Sequence, residues 1–182
     1  MIDNNIITIA LILIFISLNH IFFSKKKKKS SHQWRLKSAK RTYDLIQTIK
    51  ENGKVFSYLR KIDPFVFEEV LLIAFNKYKN VQTKRNEKYT GDGGIDGRFY
   101  YQGNLYLIQA KRYKNHINPA HVKEFSDVIE KEGAIGGFFI HTGRTGKSSK
   151  NIAFNSKNIK IISGAKLISL LRGNLNLKEI IP

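Results

Sequence analysis

The architecture of this chain is set by the stretch GDGGIDGRFYYQGNLYLIQAKRY, residues 91–113. Its centre, Gly103-Asn104, suits a two-residue type II′ turn. The runs on either side of this turn, Arg98 to Tyr101 and Leu105 to Ala110, have the composition of strands. The stretch therefore predicts one tight β-hairpin.

The predicted hairpin brings three side chains of different chemistry together. With this turn, Asp96 lies directly opposite Lys111, and Gln109 is a diagonal neighbour on the same face, at separations of roughly 5 and 7–8 Å. An acid and an amine in this arrangement can form a plain cross-strand ion pair. An acid, an amide carbonyl and a lysine around one point can also bind a divalent metal and activate a water. The spacing alone leaves both interpretations open.

The composition limits the partners of the chain. Its 182 residues are enough for one domain of ordinary size and an extension. Lysine and arginine number 32 against 14 aspartates and glutamates, which gives a formal net charge of +18 and a pI near 10.0. This excess indicates a polyanionic partner, either nucleic acid or an anionic membrane surface. The absence of cysteine excludes disulfide scaffolds and cysteine-rich zinc sites, and the five histidines lack ligand-like spacing.

An apolar run near the amino terminus predicts a membrane anchor. Residues Ile6 to Phe23 read IITIALILIFISLNHIFF, which at about 18 residues is just enough to cross a hydrocarbon core of roughly 30 Å. Lys25 to Lys29 follow this run, whereas a signal peptide has its basic region before the apolar one. By the positive-inside rule, these lysines place the carboxyl-terminal part in the cytoplasm. We therefore expect a single-pass protein of the bacterial inner (plasma) membrane, with Lys25 to Lys29 near anionic lipids.

Four segments are predicted along the chain. They are a short extracytoplasmic tail over 1–5, a transmembrane helix over 6–23, a basic juxtamembrane spacer over 24–63 and a folded domain over 64–182. The spacer mixes basic and apolar residues, with a break expected at Asn52-Gly53. It fits either a helix at anionic headgroups or a solvated linker helix.

The folded domain alternates between helical and strand patterns. Its first helix is predicted to begin with Asp63 as cap and Pro64 at the first position. The elements predicted after that start are a helix over 65–78, a strand over 81–84, the hairpin, a helix over 119–132, a strand over 136–141, a helix over 148–156, a strand over 159–163 and a helix over 166–172. This order predicts an α/β fold with a mixed sheet and helices on its faces.

Hydrolysis of a phosphodiester with Mg²⁺ needs oxygen ligands for the metal and a cation that orients the water or stabilises the developing charge. Gln109 and Lys111 point to one face of a strand, because the side-chain period is 2. One carboxylate holds Mg²⁺ poorly, so a second acid is needed. The acidic candidates nearest in sequence are Glu68, Glu69, Glu87 and Asp92. The first two occur in an otherwise apolar helix, where an inward-facing acid needs a partner such as a metal.

Several pieces of the sequence match one known family. They are Phe67-Glu68 in the first helix, GDGGID over 91–96, QAKRY over 109–113, the phenylalanine-rich strand over 137–142 and Ser163-Gly164. Together they resemble the Mrr-type restriction endonuclease catalytic domain, a branch of the PD-(D/E)XK nuclease superfamily. The resemblance covers roughly Pro64 to Leu171. GIDG followed at this distance by QxKRY is much more specific than an acid followed by an ExK pattern.

The resemblance implies the roles of four residues. It makes Asp96 a metal ligand, Lys111 the catalytic lysine and Glu68 the helix carboxylate. Gln109 stands where most of the superfamily has Glu or Asp, although glutamine is usual for the Mrr branch. It leaves the site one negative charge short, which makes Glu68 more important. The implied metal is Mg²⁺ or Mn²⁺, and the implied fold is a restriction-endonuclease-like mixed central sheet flanked by helices, here preceded by the transmembrane helix.

Basic residues after the predicted strands are candidates for DNA contact. Arg112 and Lys114 follow the catalytic strand, and Arg144 and Lys147 lie in TGRTGK, residues 142–147. This loop is not a complete phosphate loop of the nucleotide-hydrolase type, since GxxxxGK[ST] requires glycine where the chain has His141. Phosphate contact on DNA, helped by the amides at the start of the next helix, is one interpretation. A plain strand-to-helix turn is the other.

The sequence therefore predicts a membrane-tethered, Mg²⁺-dependent DNA endonuclease that restricts foreign DNA at the cytoplasmic face. Because double-strand cutting generally needs two active sites, a homodimer on DNA is the expected assembly. The alternative is a non-catalytic module that fastens DNA to the membrane, for which the cationic charge alone would suffice. The metal site discriminates between the two, since a binding module has no need for Asp96 and Lys111 together.

Overall fold

A computed structural model of the chain describes residues 4–85 and 93–181, with only the backbone described over 4–12 and 23–29. The chain divides into two compact units, Met1–Lys37 and Ser38–Pro182. Helix α1 spans Asn4–Thr48. Its large apolar side chains between residues 13 and 22 are exposed, namely Leu13, Ile14, Phe15, Ile16, Leu18, Ile21 and Phe22.

The predicted membrane anchor lies within α1. A search of the residues that the structure describes finds no helix both long and apolar enough to cross a membrane. The side chains of Lys25 to Lys29 lie outside the described residues. The transmembrane helix over 6–23 and the lipid contacts of these lysines therefore stay predictions.

The second unit contains the remaining elements. They are α2 (Asn52–Leu59), α3 (Pro64–Phe75), β1 (Val81–Lys84), β2 (Gly97–Tyr101), β3 (Asn104–Lys111), α4 (Pro119–Lys131), β4 (Gly136–His141), α5 (Lys147–Ser156), β5 (Ile159–Ile162), α6 (Gly164–Leu171) and α7 (Leu177–Ile180). Each helix and strand predicted after residue 63 is present, with ends shifted by a few residues at most. The short helix α7 was not predicted.

Helix starts follow the caps in the sequence. The Oδ1 atom of Asp63 accepts from the backbone nitrogens of Phe65 at 2.9 Å and Val66 at 3.2 Å, and Pro64 occupies the first position of α3. Asn118 caps α4 in the same way, since its Oδ1 accepts from Ala120 N at 3.0 Å. Each cap satisfies donors that the first turn of a helix leaves without intrahelical partners.

The sheet has five strands in the order β1-β2-β3-β4-β5. The pairs β1–β2 and β2–β3 are antiparallel, whereas β3–β4 and β4–β5 are parallel. Strand β4 is buried along its whole length, while β5 is an outer strand. The predicted mixed sheet with flanking helices is confirmed.

A hydrophobic core lies on each face of the sheet. On the face that carries α3 and α6, Phe75 stacks on Phe99 with ring centroids 4.7 Å apart, and Phe138 packs against both. On the face that carries α4 and α5, Phe125 packs edge-on against Phe139. Residues of β3 alternate between the two cores, which directs its odd-numbered side chains toward α4.

The second compact unit includes part of the predicted spacer. The expected spacer over 24–63 includes Ala39, Ile46, Val55 and Leu59, all fully buried in the core beneath α3. Apolar residues at helical spacing at the end of α1 and in α2 supply this part of the core. The second compact unit therefore begins at Ser38, and the start of the nuclease domain at residue 64 stays a prediction.

Candidate active site

The hairpin forms, but its turn lies one residue earlier than predicted. Tyr101 pairs with Asn104, so the turn residues are Gln102 and Gly103. Their φ angles are 51° and 82°, and two positive φ values make a type I′ turn instead of type II′. The prediction assumed that only the glycine of the turn has a positive φ angle, whereas Gln102 has one too.

The shifted turn changes the residues that face each other across the hairpin. Gly97 pairs with Ile108, so the predicted placement of Asp96 directly opposite Lys111 is wrong. Lys111 instead has His141 of β4 as its neighbour in register. The simple cross-strand ion pair that the sequence left open is therefore not formed by this register.

Asp96 reaches β3 through both its backbone and its side chain. Its backbone nitrogen donates to Ile108 O at 2.8 Å, although Ile108 is already the register partner of Gly97. Asp96 and Gly97, the first residue of β2, thus both face Ile108 of β3, as in a β-bulge. The carboxylate oxygen Oδ2 accepts from Ala110 N at 2.6 Å. Since Ala110 lies between Gln109 and Lys111, the acid is anchored beside both.

Gln109 is 7% exposed, and only one of its two polar side-chain atoms forms a hydrogen bond with a described residue. Its Nε2 donates to Gly94 O at 3.0 Å. Because a carbonyl oxygen only accepts, the nitrogen must face Gly94, and this fixes the orientation of the amide. Its Oε1 is buried and has no hydrogen-bond partner among the described residues. A buried oxygen without a donor is an open ligand position.

Gly94 makes this arrangement possible. Its φ angle of 82° is one that side-chain-bearing residues rarely adopt, and a Cβ atom built on it would lie 2.7 Å from Gln109 Nε2. Only glycine therefore allows the loop backbone to approach the amide of Gln109. Asp92 and Glu87, two of the acidic candidates for the second metal ligand, lie outside the described residues.

Lys111 ends β3 and is half-buried. It lies two residues after Gln109, so the two side chains emerge on the same face of the sheet. Its carbonyl accepts from Thr142 N at 3.1 Å, which links the ends of β3 and β4. No ion pair of its Nζ is formed with any residue in the described ranges 4–85 and 93–181. The ammonium group is thus available next to the acid and the amide.

The two acids of α3 have different surroundings. Glu69 is 3% exposed, and its Oε2 accepts from Arg85 Nε at 2.6 Å. Glu68 is half-exposed and lies one turn before Leu72, hence on the same helix face. Leu72 in turn contacts the start of β2, where a Cβ on Gly97 would come within 2.8 Å of it. Glu68 therefore shares a helix face with Leu72, while Glu69 forms an ion pair with Arg85.

Arg112 supports the fold at the end of β3. Its Nη1 donates to the carbonyls of Arg60 and Ile62, in the segment between α2 and α3. Arg60 in turn donates through Nη2 to Thr142 O at 2.5 Å. These bonds hold the start of α3 against the ends of β3 and β4. The predicted role of Arg112 in DNA contact stays a prediction, and in the structure its guanidinium binds backbone carbonyls.

The other three predicted DNA contacts are exposed on two adjoining loops. Arg144 N donates to Asn115 O at 3.0 Å and Ile117 N donates to Arg144 O at 3.1 Å, so the loops after β3 and β4 are hydrogen-bonded to each other. We call the exposed residues Lys114, His116, Arg144 and Lys147 of these loops the cationic edge. Helix α5 begins here at Lys147, after Gly146 as N-cap residue and without a side-chain cap, so its first amides add positive potential.

A buried histidine beside the site was not predicted. His141 is 0% exposed, accepts from Gly143 N at 3.2 Å through Nδ1, and hydrogen-bonds Thr145 Oγ1 at 3.0 Å through Nε2. Thr145 Oγ1 also meets Ser163 Oγ at 3.2 Å. Burial lowers the pKa of His141 to about 4, so the ring is neutral at physiological pH. Its only sequence signal was a single polar residue at the end of an apolar strand.

Comparison with known families agrees with this geometry. The Mrr_cat family model, described as restriction endonuclease, matches residues 59–171. The chain belongs to this restriction endonuclease family. The match covers α3, the hairpin and the strands that carry Asp96, Gln109 and Lys111, and it ends with α6. The Mrr resemblance of the sequence is thus confirmed as a restriction endonuclease domain of the PD-(D/E)XK type.

One solved structure matches part of the chain. A DNA modification-dependent restriction endonuclease, AspBHI, matches with a TM-score of 0.43 and 17% sequence identity. The match covers 75% of this chain and 35% of that one, so the present chain corresponds to about a third of AspBHI. No curated protein matches the chain.

Restriction endonuclease domains of this type generally use Mg²⁺, and the residues present fit such an ion. The fit rests on the buried, unpartnered Oε1 of Gln109 beside the carboxylate of Asp96. Within the described ranges no group of three or more histidines, cysteines or acids could hold a metal. Magnesium suits a set with few protein ligands, because it keeps several waters and uses one or two carboxylates.

Proposed function

We propose that this member of the Mrr restriction endonuclease family is a Mg²⁺-dependent DNA endonuclease that hydrolyses phosphodiester bonds of foreign DNA. The observation that carries the proposal is the pair formed by Gln109 Oε1 and the Asp96 carboxylate. The first is buried without a partner among the described residues, and the second is anchored at Ala110 N, one residue before Lys111. A structural ion pair would require neither the orphan oxygen nor the glycine at 94.

Each residue has one task in this mechanism. Asp96, Gln109 Oε1 and Glu68 would hold the metal, which supplies polarisation of the phosphate and a water of lowered pKa when bound. Lys111 orients the attacking water and stabilises the negative charge that develops on the phosphate. Gly94 keeps the amide of Gln109 turned so that the oxygen faces the site. The neutral His141 and its bond to Thr145 hold the loop that carries Arg144.

The cationic edge supports DNA as the substrate. Lys114, Arg144 and Lys147 are exposed and form no ion pair with a described residue, so their charges are free to contact phosphates. The whole chain carries a formal charge of +18, which favours binding to a polyanion at low salt. Contacts of this kind position the backbone and carry no base sequence information.

The proposal includes attachment to the membrane, with the nuclease domain in the cytoplasm. It is supported by the apolar run Ile6 to Phe23, by the exposed apolar side chains between residues 13 and 22, and by Lys25 to Lys29 behind them. The test is fractionation of cells that express either the full chain or a chain starting at Ser30. The full chain is expected in the membrane pellet after an alkaline carbonate wash. Its release by the wash would refute an integral anchor.

The nuclease activity is tested by incubating the full chain with supercoiled plasmid and Mg²⁺. The variants are Lys111→Ala and Asp96→Asn, and the control is Lys131→Ala, an exposed lysine of α4 outside the site. Asn at 96 can still accept from Ala110 N, so that variant removes charge with little change of shape. We expect the wild type and the control to nick plasmid, and both site variants to lose at least about a hundredfold in rate.

The second candidate function is a non-catalytic module that binds DNA at the membrane. The charge of +18 and the exposed cationic edge favour it, since neither requires catalysis. The same plasmid experiment discriminates between the candidates. If the wild type cuts no DNA while it and both site variants bind DNA equally, the enzyme interpretation fails and the binding module stands.

A further inference from the structure

A groove beside the outer strand β5 lies apart from the candidate active site. It has a volume of about 280 Å³ and is enclosed by α5, β5, the start of α6 and α7. Its floor is aliphatic, formed by Ile159, Ile161, Ile162 and Ile180. We call it the β5 groove. None of the residues assigned to the nuclease site lines it.

The rim of the β5 groove is cationic. Lys150, Lys160 and Lys166 line it, and Glu179 is the one acid among the lining residues. Glu179 Oε1 accepts from Asn176 Nδ2 at 2.6 Å, and the three lysines form no ion pair with a residue in the described part of the chain. Lysines left without acids on a concave surface attract an anionic ligand.

Phe154 stands at the edge of the same groove. It is 83% exposed, the highest value among the exposed large hydrophobic residues of the described ranges. A phenylalanine ring so open to water has no role in either core, and stacking on a planar ligand would remove its faces from water. An aromatic ring surrounded by lysines is the combination with which proteins hold unpaired nucleic-acid strands: the ring stacks on a base and the lysines follow the backbone.

Helix α5 connects this groove to the cationic edge. Lys147, Lys150 and Phe154 are spaced by three and four residues, so they share one face of the helix. Lys147 belongs to the cationic edge, and Phe154 is about 10 Å further along the helix axis. The loop before α5 is hydrogen-bonded to the end of β3 through Thr142 N and Lys111 O. A strand that lies on the cationic edge can therefore continue along α5 into the groove.

We infer that the β5 groove binds an unpaired segment of a DNA strand, with a base stacked on Phe154 and its phosphates neutralised by Lys150, Lys160 and Lys166. The preferred substrate is then DNA with a single-stranded region beside the cleaved bond. This part of the inference rests on the proposed endonuclease function. Binding of the strand does not depend on it.

The binding test uses fluorescence anisotropy of a short labelled oligo(dT) with the full chain. The variants are Phe154→Ala, Phe154→Trp and the double variant Lys160→Ala/Lys166→Ala. The matched control is Lys123→Ala/Lys131→Ala, which removes two exposed lysines of α4 and the same charge. Phe154 and Lys166 are exposed and Lys160 is half-buried, so we expect the variants to fold, and thermal unfolding of each one checks this.

Specific outcomes are expected from this test. Phe154→Ala should weaken binding of oligo(dT) by about tenfold, while Phe154→Trp retains or improves it. Lys160→Ala/Lys166→Ala should reduce the slope of log affinity against log salt by about 1.4, whereas the α4 control leaves it unchanged.

Three results would overturn the inference. They are unchanged oligo(dT) binding by Phe154→Ala, an equal loss in the α4 control, and displacement of the oligonucleotide by free thymidine monophosphate at an equal concentration of nucleotide. The last result would make the groove a site for a free nucleotide. Failure of the proposed function looks different: the chain would bind oligo(dT) through Phe154 but cut neither paired nor partly unpaired DNA.

Discussion

The side-chain nitrogen of Gln109 donates to the carbonyl oxygen of Gly94 at 3.0 Å, and this bond leaves the amide oxygen buried with no partner among the described residues. One atom of the amide thus holds the loop and the other is kept for a ligand. Glutamine meets both requirements, because it has a donor and an acceptor on the same carbon. A glutamate, which has acceptors only when ionised, would place an oxygen against the oxygen of Gly94.

The first prediction concerns the exchange Gln109→Glu. Burial and the facing carbonyl should raise the pKa of the new carboxyl, because its protonated form alone can donate to Gly94 O. Since this folded-state pKa is above the unfolded value, the variant keeps its stability at low pH and loses it as pH rises. We expect a cost of about 1–3 kcal/mol at pH 8 without metal. Urea unfolding at pH 5 and pH 8 measures it, and a cost that is equal at both pH values contradicts the prediction.

A second prediction uses two glycines with the same backbone angle. Gly94 and Gly103 both have φ of 82°, but a Cβ at 94 would meet Gln109 Nε2, whereas a Cβ at 103 meets nothing within 4 Å. Alanine at either position should cost about 1–2 kcal/mol of stability from the left-handed conformation alone. Only Gly94→Ala should also lower the nicking rate, by about tenfold or more, because it displaces Gln109. Equal nicking rates for the two variants would mean that the amide position does not matter.

The third prediction separates the neighbouring acids of α3. Glu69→Gln should lower the free energy of unfolding by about 1 kcal/mol, since it weakens the ion pair with the half-exposed Arg85. Its nicking rate should remain close to that of the wild type. Glu68→Gln should raise the Mg²⁺ concentration needed for half-maximal nicking, because it removes a proposed metal ligand. A Mg²⁺ titration of both variants, with thermal unfolding in parallel, decides whether the assignment must move to Glu69.

A fourth prediction concerns the pH dependence of stability. The pKa of His141 is lowered from 6.5 to about 4 by burial, so between these values the unfolded chain binds a proton that the folded chain does not. Stability is therefore complete above pH 6.5 and falls as pH decreases toward 4, by about 3 kcal/mol at most. His141→Asn removes this contribution. The stability difference between wild type and variant should shrink on acidification, and a difference that is constant with pH would contradict the prediction.

Much of the fold was predictable because local signals agreed with the tertiary structure. The cap and proline at Asp63-Pro64, the apolar run over 136–141 and the alternation of helices and strands each specified an element that is present. The turn was misplaced because Gln102 adopts positive φ, which local propensity disfavours but the twist of the two strands rewards. A shift of one turn residue was enough to change the partner of Asp96.

The roles of the candidate site residues stay predictions, and the contacts that the structure shows were not predictable. Asp96 is held beside Gln109 and Lys111 through a bulge and a backbone bond to Ala110 that no pairing rule anticipates. The ion pair of Glu69 involves Arg85, a residue 16 positions away, so its formation could not be predicted from α3 alone. The role of the buried His141 was not predicted, because a single polar residue at the end of an apolar strand does not reveal its hydrogen bonds to Thr145 and Gly143 in the following loop.

The bond between Asp96 and Ala110 N also occupies a backbone donor that β2 would need in order to extend its pairing with β3. Strand β3 extends past the start of β2, and the N–H of Ala110 points to the place that a longer β2 would fill. A strand-forming valine at 96 could continue the ladder and make the sheet more regular, while the chain would lose its central acid. One donor can serve either the sheet or the chemistry. Selection of variants for thermal stability alone should therefore replace aspartate at position 96 by strand-forming residues such as valine. Selection for DNA cutting should restore the aspartate.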